Sequence, residues 1–312
     1  MAADQAASNL LFYFLPLNAS FFRILLVQET TSQQHQVIKL FKENVDISLC
    51  EREAQIVTTI SHPRIISGSN FYARMANPLR ANKECAALVL EYAPNGDLLQ
   101  LLTTVGHLPE IVACTYFQQL VGALEQLHSA SVCHMDIKPE NIFLDQNYSI
   151  KLGDFGLAFQ STKSGSLKGT AGTTQYFAPE MHENKVYNAY QADLFALGVT
   201  LFTTVSGNLP FLEARSTDRF YRMLMEKRYS DFWAFHERLM KRKQQYISSD
   251  FRELIEKMLH PNPKKRFTLE QIKQSSWYKG LTLSDEKLES FIKALLEKKA
   301  TKEVSSSTST TA

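Results

Sequence analysis

Residues 134–144 read HMDIKPENIFL. His134, Asp136, Lys138 and Asn141 stand at fixed offsets, with Pro139 directly after the lysine. The stretch is too polar for a core strand. Its proline excludes a helix interior, because proline lacks the N–H and clashes with the preceding turn. It reads as a loop that holds reactive groups in place. Met135, wedged between the histidine and the aspartate, is the residue to explain.

The chain on either side changes character. Upstream, residues 109–129 repeat apolar groups at Phe117, Leu120, Val121, Leu124, Leu127 and His128, with Pro109 at the start, a helix pattern. Further upstream the first 90 residues are strand-rich: LLFYFL, FRILLVQE and QVIKLF alternate between polar turns. Residues 43–60 switch to a helical period through Ala54, Ile56, Val57 and Ile60, stopping at His62-Pro63. CAALVLEY (85–92) is an apolar strand, and APNGD after it is a turn and a hinge between two parts. Downstream, DLFALGVTLFTTVSG from 193 is apolar on every side and belongs at a domain centre. Residues 284–299 place Leu288, Phe291, Ile292, Leu295 and Leu296 on one face behind Ser284 as N-cap. Residues 303–312 are a low-complexity tail, expected to be disordered.

Bulk properties narrow the function classes. The 312 residues are 44% apolar and 21% charged, with a net charge of +2. Nothing there argues for nucleic acid or a membrane surface as partner. Cys50, Cys85, Cys114 and Cys133 form no CxxC pair, which speaks against zinc or a disulfide framework and suits a reducing compartment, the cytoplasm or nucleus. The apolar run 9–27 has no basic segment before it and is broken by Pro16 and Arg23, so it reads as a hairpin rather than a signal or membrane span.

Further motifs line up with the loop. VIK (37–39) ends the third strand with Lys39, and Glu53 lies on the next helix. Asp154-Phe155-Gly156 is a DFG and Ala178-Pro179-Glu180 an APE. Taken singly, Glu53 reads as a solvated helix residue, Lys39 as a strand-end charge, His134 as a packed histidine and DFG as a turn. In their order and spacing they resemble the eukaryotic protein kinase family, over residues 10–278. The resemblance implies an α+β, two-lobed fold: a small β-rich lobe (about 10–92) and a larger helical lobe (about 95–278). Beyond it the apolar pattern predicts a C-terminal amphipathic helix at 279–302.

It also implies ATP and Mg²⁺ as cofactors, with Mn²⁺ as an alternative metal, and phosphate transfer to protein Ser/Thr hydroxyls. Phosphoryl transfer is mostly positioning and charge neutralisation. Lys39 would hold the α- and β-phosphates and Glu53 would keep it pointed. Asp154 and Asn141 would bind the metal. Asp136 would accept the hydroxyl proton, with Lys138 beside the transferred phosphate and Thr173 bonding the loop. Ile24 and Val37 would cover adenine, Glu91, Tyr92 and Ala93 would form the hinge that bonds it, and Leu90 would gate the pocket behind. Asp97 would contact ribose, and Phe143 joins the nucleotide set. Asp193 would tie down the loop backbone, and Glu180 with Arg266 would brace the larger lobe. Asp97 and Glu140 match acidic positions that face an upstream arginine in basophilic relatives. NGDLLQLL, KLGDFGLA and GTTQYFAPE look most like the calcium/calmodulin-dependent and AMP-activated group, while Phe143 is shared with polo-like and NIMA-related kinases.

Two departures stand out. Most relatives carry arginine at the place of Met135, where it binds a phosphate on the activation segment, residues 154–180. Methionine makes no such pair, and two helper positions hold Phe159 and Leu49. Ser164, Ser166 and Thr170 are the modifiable residues there. Second, counting back from Lys39, the glycine positions of the phosphate loop fall on Leu17, Ala19 and Phe22. Leu17 and Phe22 are expected to stiffen the loop and crowd the phosphates, unless Phe22 points outwards. An active serine/threonine kinase is the expectation. A pseudokinase that binds nucleotide or scaffolds is the alternative, and a regulatory subunit docking through 284–299 a third. That helix would pack on the larger lobe, occupy the cleft as an autoinhibitor, or bind calmodulin.

Overall fold

The computed structural model describes residues 10–18, 21–30, 32–80, 82–161, 164–183, 185–242 and 246–308. Contacts divide the chain into two units, Met1–Pro94 with Gly153–Gly156 and Asn95–Leu152 with Leu157–Ala312.

The first unit is an antiparallel five-stranded sheet in the order β1-β2-β3-β5-β4. Its strands are β1 (Leu10–Asn18), β2 (Phe22–Glu29), β3 (His35–Phe41), β4 (Gly68–Ala76) and β5 (Glu84–Glu91). β1 and β2 pair directly, so the described residues of the apolar run at 9–27 lie largely in two antiparallel strands. No helix among the described residues is long and apolar enough to cross a membrane. Alternation in β2 and β3 sorts side chains between two faces. Leu25, Val27, Ile38 and Leu40 are buried with Cys85, Ala87 and Val89 of β5. Each such aliphatic side chain contributes about 1.5–3 kcal/mol of transfer free energy when fully buried. The opposite face carries Ile24 opposite Lys39, and Val37 opposite both Leu26 and Leu90.

Helix α1 (Ile47–Thr59) starts at Asp46, whose carboxylate accepts the Ser48 N–H at 2.9 Å. It buries Cys50, Ala54, Ile56 and Val57. Glu53 is buried on the same helix, against the solvated reading of that residue alone.

The second unit is mostly helical. Its helices are α2 (Leu98–Val105), α3 (Glu110–Ser129), α4 (Ala189–Ser206), α5 (Arg219–Met225), α6 (Tyr229–Arg242), α7 (Ser249–Met258), α8 (Leu269–Gln274) and α9 (Asp285–Thr308). Short strands β6 (Val132–Cys133), β7 (Ile142–Leu144), β8 (Ile150–Leu152), β9 (Phe159–Gln160), β10 (Ser166–Leu167) and β11 (Tyr187–Asn188) pair two by two. α4 is buried on nearly every side, as its composition demands. It ends at Gly207 with φ +66°, where an added Cβ would lie 2.0 Å from the Gly106 carbonyl oxygen, so only glycine fits.

The C-terminal helix departs from expectation in two ways. It continues to Thr308, where a disordered tail from 303 was expected; residues 309–312 lie outside the described residues. Once a helix is nucleated each further residue adds a hydrogen bond, and residues 303–308 contain neither glycine nor proline to stop it. Its apolar stripe is also narrower. Leu288 and Ile292 are fully buried, Leu295 and Leu296 half-buried, and Phe291 is exposed. α9 packs on α2 of its own unit, and the Ser149 hydroxyl donates to Asp285 at 3.3 Å.

Candidate active site

Lys39 reaches its neighbours because β3 parity turns it away from the core cluster. Its ammonium donates to Glu53 Oε1 at 2.7 Å and to Asp154 Oδ1 at 2.8 Å. Lys39 and Glu53 are both 3% exposed, whereas the Asp154 side chain is 33% exposed. Asp154 has φ +58°, a left-handed conformation that a non-glycine residue holds only where the surroundings enforce it. Burial acts against the Lys39 charge, but the Glu53 and Asp154 carboxylates outweigh it and raise its pKa. Burial also raises the Glu53 pKa against the pull of Lys39, helped by the like charge of Asp154. Two carboxylates sharing one ammonium leave an excess negative charge, which favours the proton on both groups.

Around this triad the first unit sets an apolar strip. Ile24, Val37 and Leu90 share the Lys39 face by register and are half-buried. At its end the Glu91 N–H donates to the Ser67 carbonyl at 3.0 Å, and the Glu91 carboxylate accepts the Ser67 N–H at 2.9 Å. Ala93 follows two residues on, half-buried. Leu17 lies in β1, and Ala19 lies outside the described residues. Phe22 points inwards, its ring centroid 4.1 Å from Lys39 Nζ.

The second unit assembles a separate polar cluster from the 134–141 loop. Asp136 is 8% exposed. Its Oδ1 accepts the Thr173 N–H and the Thr173 hydroxyl, each at 3.1 Å. Its Oδ2 accepts Asn141 Nδ2 at 2.9 Å and faces Lys138 Nζ at 2.8 Å. Lys138 also donates to Thr173 Oγ1 at 2.6 Å, and Asn141 to the Asp136 carbonyl at 2.8 Å. Four side chains thus fix each other. Gly172, φ +117°, lets the next segment come close: a Cβ there would meet the Met135 carbonyl oxygen at 2.9 Å.

Asp193 on α4 anchors the loop from beneath. It accepts the His134 N–H at 2.9 Å and the Met135 N–H at 2.8 Å. His134 is fully buried, and Met135 is 8% exposed with φ +67°. Arg266, its side chain enclosed, makes a bidentate pair with Glu180 at 2.7 and 2.9 Å. Asp97 acts as N-cap of α2, accepting the Gln100 N–H at 2.8 Å, and bridges Phe143 through the backbone. Burial raises its pKa. The residues thus fall into three groups: Lys39, Glu53 and Asp154 with Ile24 and Val37; Asp136, Lys138, Asn141 and Thr173; and Asp97 with Phe143.

Each unit offers an oxygen donor of the type a hard cation takes: in the second, the Asn141 amide oxygen, since its N–H groups are spent on Asp136, and in the first, the Asp154 carboxylate. The family model of the protein kinase domain matches residues 20–278. The chain belongs to the protein kinase domain family. This kinase domain is 33% identical over 268 residues to CBL-interacting protein kinase 11 of Oryza sativa subsp. japonica, covering 83% of this chain and 49% of that protein. It is 34% identical over 273 residues to CBL-interacting serine/threonine-protein kinase 10 of Arabidopsis thaliana, covering 85% and 52%. The chain spans about half the length of the curated relatives it matches.

Three features of the kinase domain escaped the sequence reading. His128 was placed only on an apolar helix face, yet its Nε2 meets Asp193 Oδ2 at 2.9 Å. Gly172 opens the motif GTTQYFAPE, but its close approach to the Met135 carbonyl was not foreseen. The direction of Phe22 was readable from strand parity, since Phe22, Ile24 and Leu26 alternate onto the face of Lys39.

Proposed function

We propose that this kinase domain transfers the γ-phosphate of Mg-ATP to serine and threonine hydroxyls of proteins. The observation that carries the reading is the Asp136 cluster. A carboxylate held by Asn141 and Thr173, with a lysine at 2.8 Å, suits a hydroxyl that must lose its proton as it attacks. Asp136 orients that hydroxyl and accepts its proton. Lys138 offsets charge on the transferred group, and Thr173 fixes both. Lys39, kept charged by Glu53 and Asp154, holds the α- and β-phosphates. Asn141 and Asp154 are the ligands for Mg²⁺, which neutralises phosphate charge when bound. Ile24 and Val37 cover the adenine, Glu91 and Ala93 bond it through their backbone, and Asp97 and Phe143 complete the nucleotide contacts. In this reading Leu17, Ala19 and Phe22 replace the glycines of the phosphate loop and Met135 replaces the loop arginine.

The relative from Arabidopsis thaliana is by its name a serine/threonine kinase, which supports that substrate class. The motifs NGDLLQLL, KLGDFGLA and GTTQYFAPE support placement beside the calcium/calmodulin-dependent and AMP-activated group. Asp97 and Glu140 match acidic positions that face an upstream arginine in basophilic relatives, which supports substrates with an upstream basic residue. The four cysteines are buried free thiols, which supports a reducing compartment such as the cytoplasm.

The test is radiometric transfer from Mg-ATP to a positional peptide library. Lys39→Met and Asp136→Ala are each expected to lower transfer by at least about a hundredfold. Absence of transfer by well-folded wild-type protein at millimolar ATP would replace the reading with a non-catalytic nucleotide binder or scaffold. A library profile with no basic preference would remove the substrate assignment alone.

A further inference from the structure

A lysine ammonium has three N–H donors. On Lys39 two are taken by Glu53 at 2.7 Å and Asp154 at 2.8 Å. The remaining side is covered by aromatic faces, Phe22 at 4.1 Å and Phe41 at 5.7 Å from Nζ to the ring centroids. The result is a lysine with 3% exposure at the place where the proposed reaction needs a phosphate contact. A phosphate oxygen reaches that nitrogen only after the nearer ring has moved.

The two rings differ in their freedom to move. Phe41 is buried at 6% exposure. Phe22 is the half-buried first residue of β2, and Phe21 before it is 66% exposed. The Lys42 N–H donates to the Phe21 carbonyl at 3.0 Å, which fixes the backbone and leaves the Phe22 ring to its own rotamers.

We propose that Phe22 is a self-cap on Lys39, a ring that nucleotide phosphate must displace and that therefore sets a low affinity for ATP. The proposal rests on the kinase reading above. The ring gives the ammonium a cation–π contact in the empty site, and binding exchanges it for phosphate. That exchange is complete before chemistry, in ground and transition state alike, so the effect belongs to the KM for ATP rather than to kcat.

The experiment is calorimetric titration of Mg-ATP into the full chain and into Phe22→Ala, Phe22→Leu and Phe22→Tyr, each checked for its melting transition. Phe22→Ala is expected to bind about tenfold more tightly than wild type, the size of a partly desolvated cation–π contact. Phe22→Leu, which keeps apolar bulk without a π face, is expected to tighten binding too, and it serves if the alanine form fails to fold. Phe22→Tyr keeps the ring and is expected to match wild type. The same ordering should appear in the KM for ATP. Wild-type binding with equal or weaker affinity in both ring-less variants overturns the cap and leaves the kinase reading standing. No binding by wild type or by any variant at millimolar Mg-ATP removes the nucleotide reading, and the cap with it.

Discussion

His236 shows how much chemistry a single enclosed side chain adds to the fold. It is 3% exposed, its Nε2 lies 3.1 Å from the Pro210 carbonyl, and the rings of Phe232, Phe202, Phe235 and Phe220 stand 4.5–5.5 Å away. Burial pushes its pKa down to about 4. The unfolded chain therefore binds a proton near pH 6.5 that the folded chain refuses until about pH 4. Its contribution to stability is intact above pH 6.5 and is lost as pH falls through that window, up to about 3 kcal/mol. Urea midpoints between pH 7 and 4 should fall less steeply in His236→Phe than in wild type; equal slopes would contradict this. Residues of this kind were not legible in the sequence, because the enclosing rings come from three helices. By contrast, the spacing of His134, Asp136, Lys138 and Asn141 is local, and one loop brings them together.

At the scale of elements, strands long enough to show alternation were readable and short ones were not. β2 and β3 alternate over seven or eight residues, but β6, β9, β10 and β11 have two residues each, too few for any period. The extent of α9 depended on the weak difference between serine-rich helix and serine-rich coil. The link from the segment before α4 to the chain beyond α7 is a different case, since Glu180 and Arg266 are far apart in sequence. Arg266 holds Glu180 in a bidentate pair and also donates to the Gln191 carbonyl at 2.6 Å. Glu180→Ala leaves a charge in an enclosed position, at a cost of about 3–5 kcal/mol in urea denaturation. Adding Arg266→Met should recover most of that loss, because it removes the stranded charge. If the double variant were no more stable than Glu180→Ala, the pair would not be what holds these segments.

At the scale of the whole molecule, a β-rich part followed by a helical part was legible, because a period of two gives way to a period of 3.6. The grouping of Gly153–Gly156 with the first unit was not, since nothing local marks a chain crossing. Regulation also belongs at this scale. Beside Met135 lies a hollow of about 10 Å³, room for one water, lined by residues including Tyr176, Phe177 and Met181 and by no lysine or arginine. A phosphate on the activation segment finds no cation there. Treatment with phosphatase, or Thr170→Ala, is expected to leave peptide phosphorylation close to that of untreated protein. A loss above about tenfold in either would mean that phosphate is read elsewhere.

Asp193 grips the loop through the amides of residues 134 and 135, not through the side chain at 135. The side chain at 135 is thus not what holds Asp136 in place. Two heritable traits are thereby uncoupled. What residue 135 touches can drift over generations while the loop beside it stays in register.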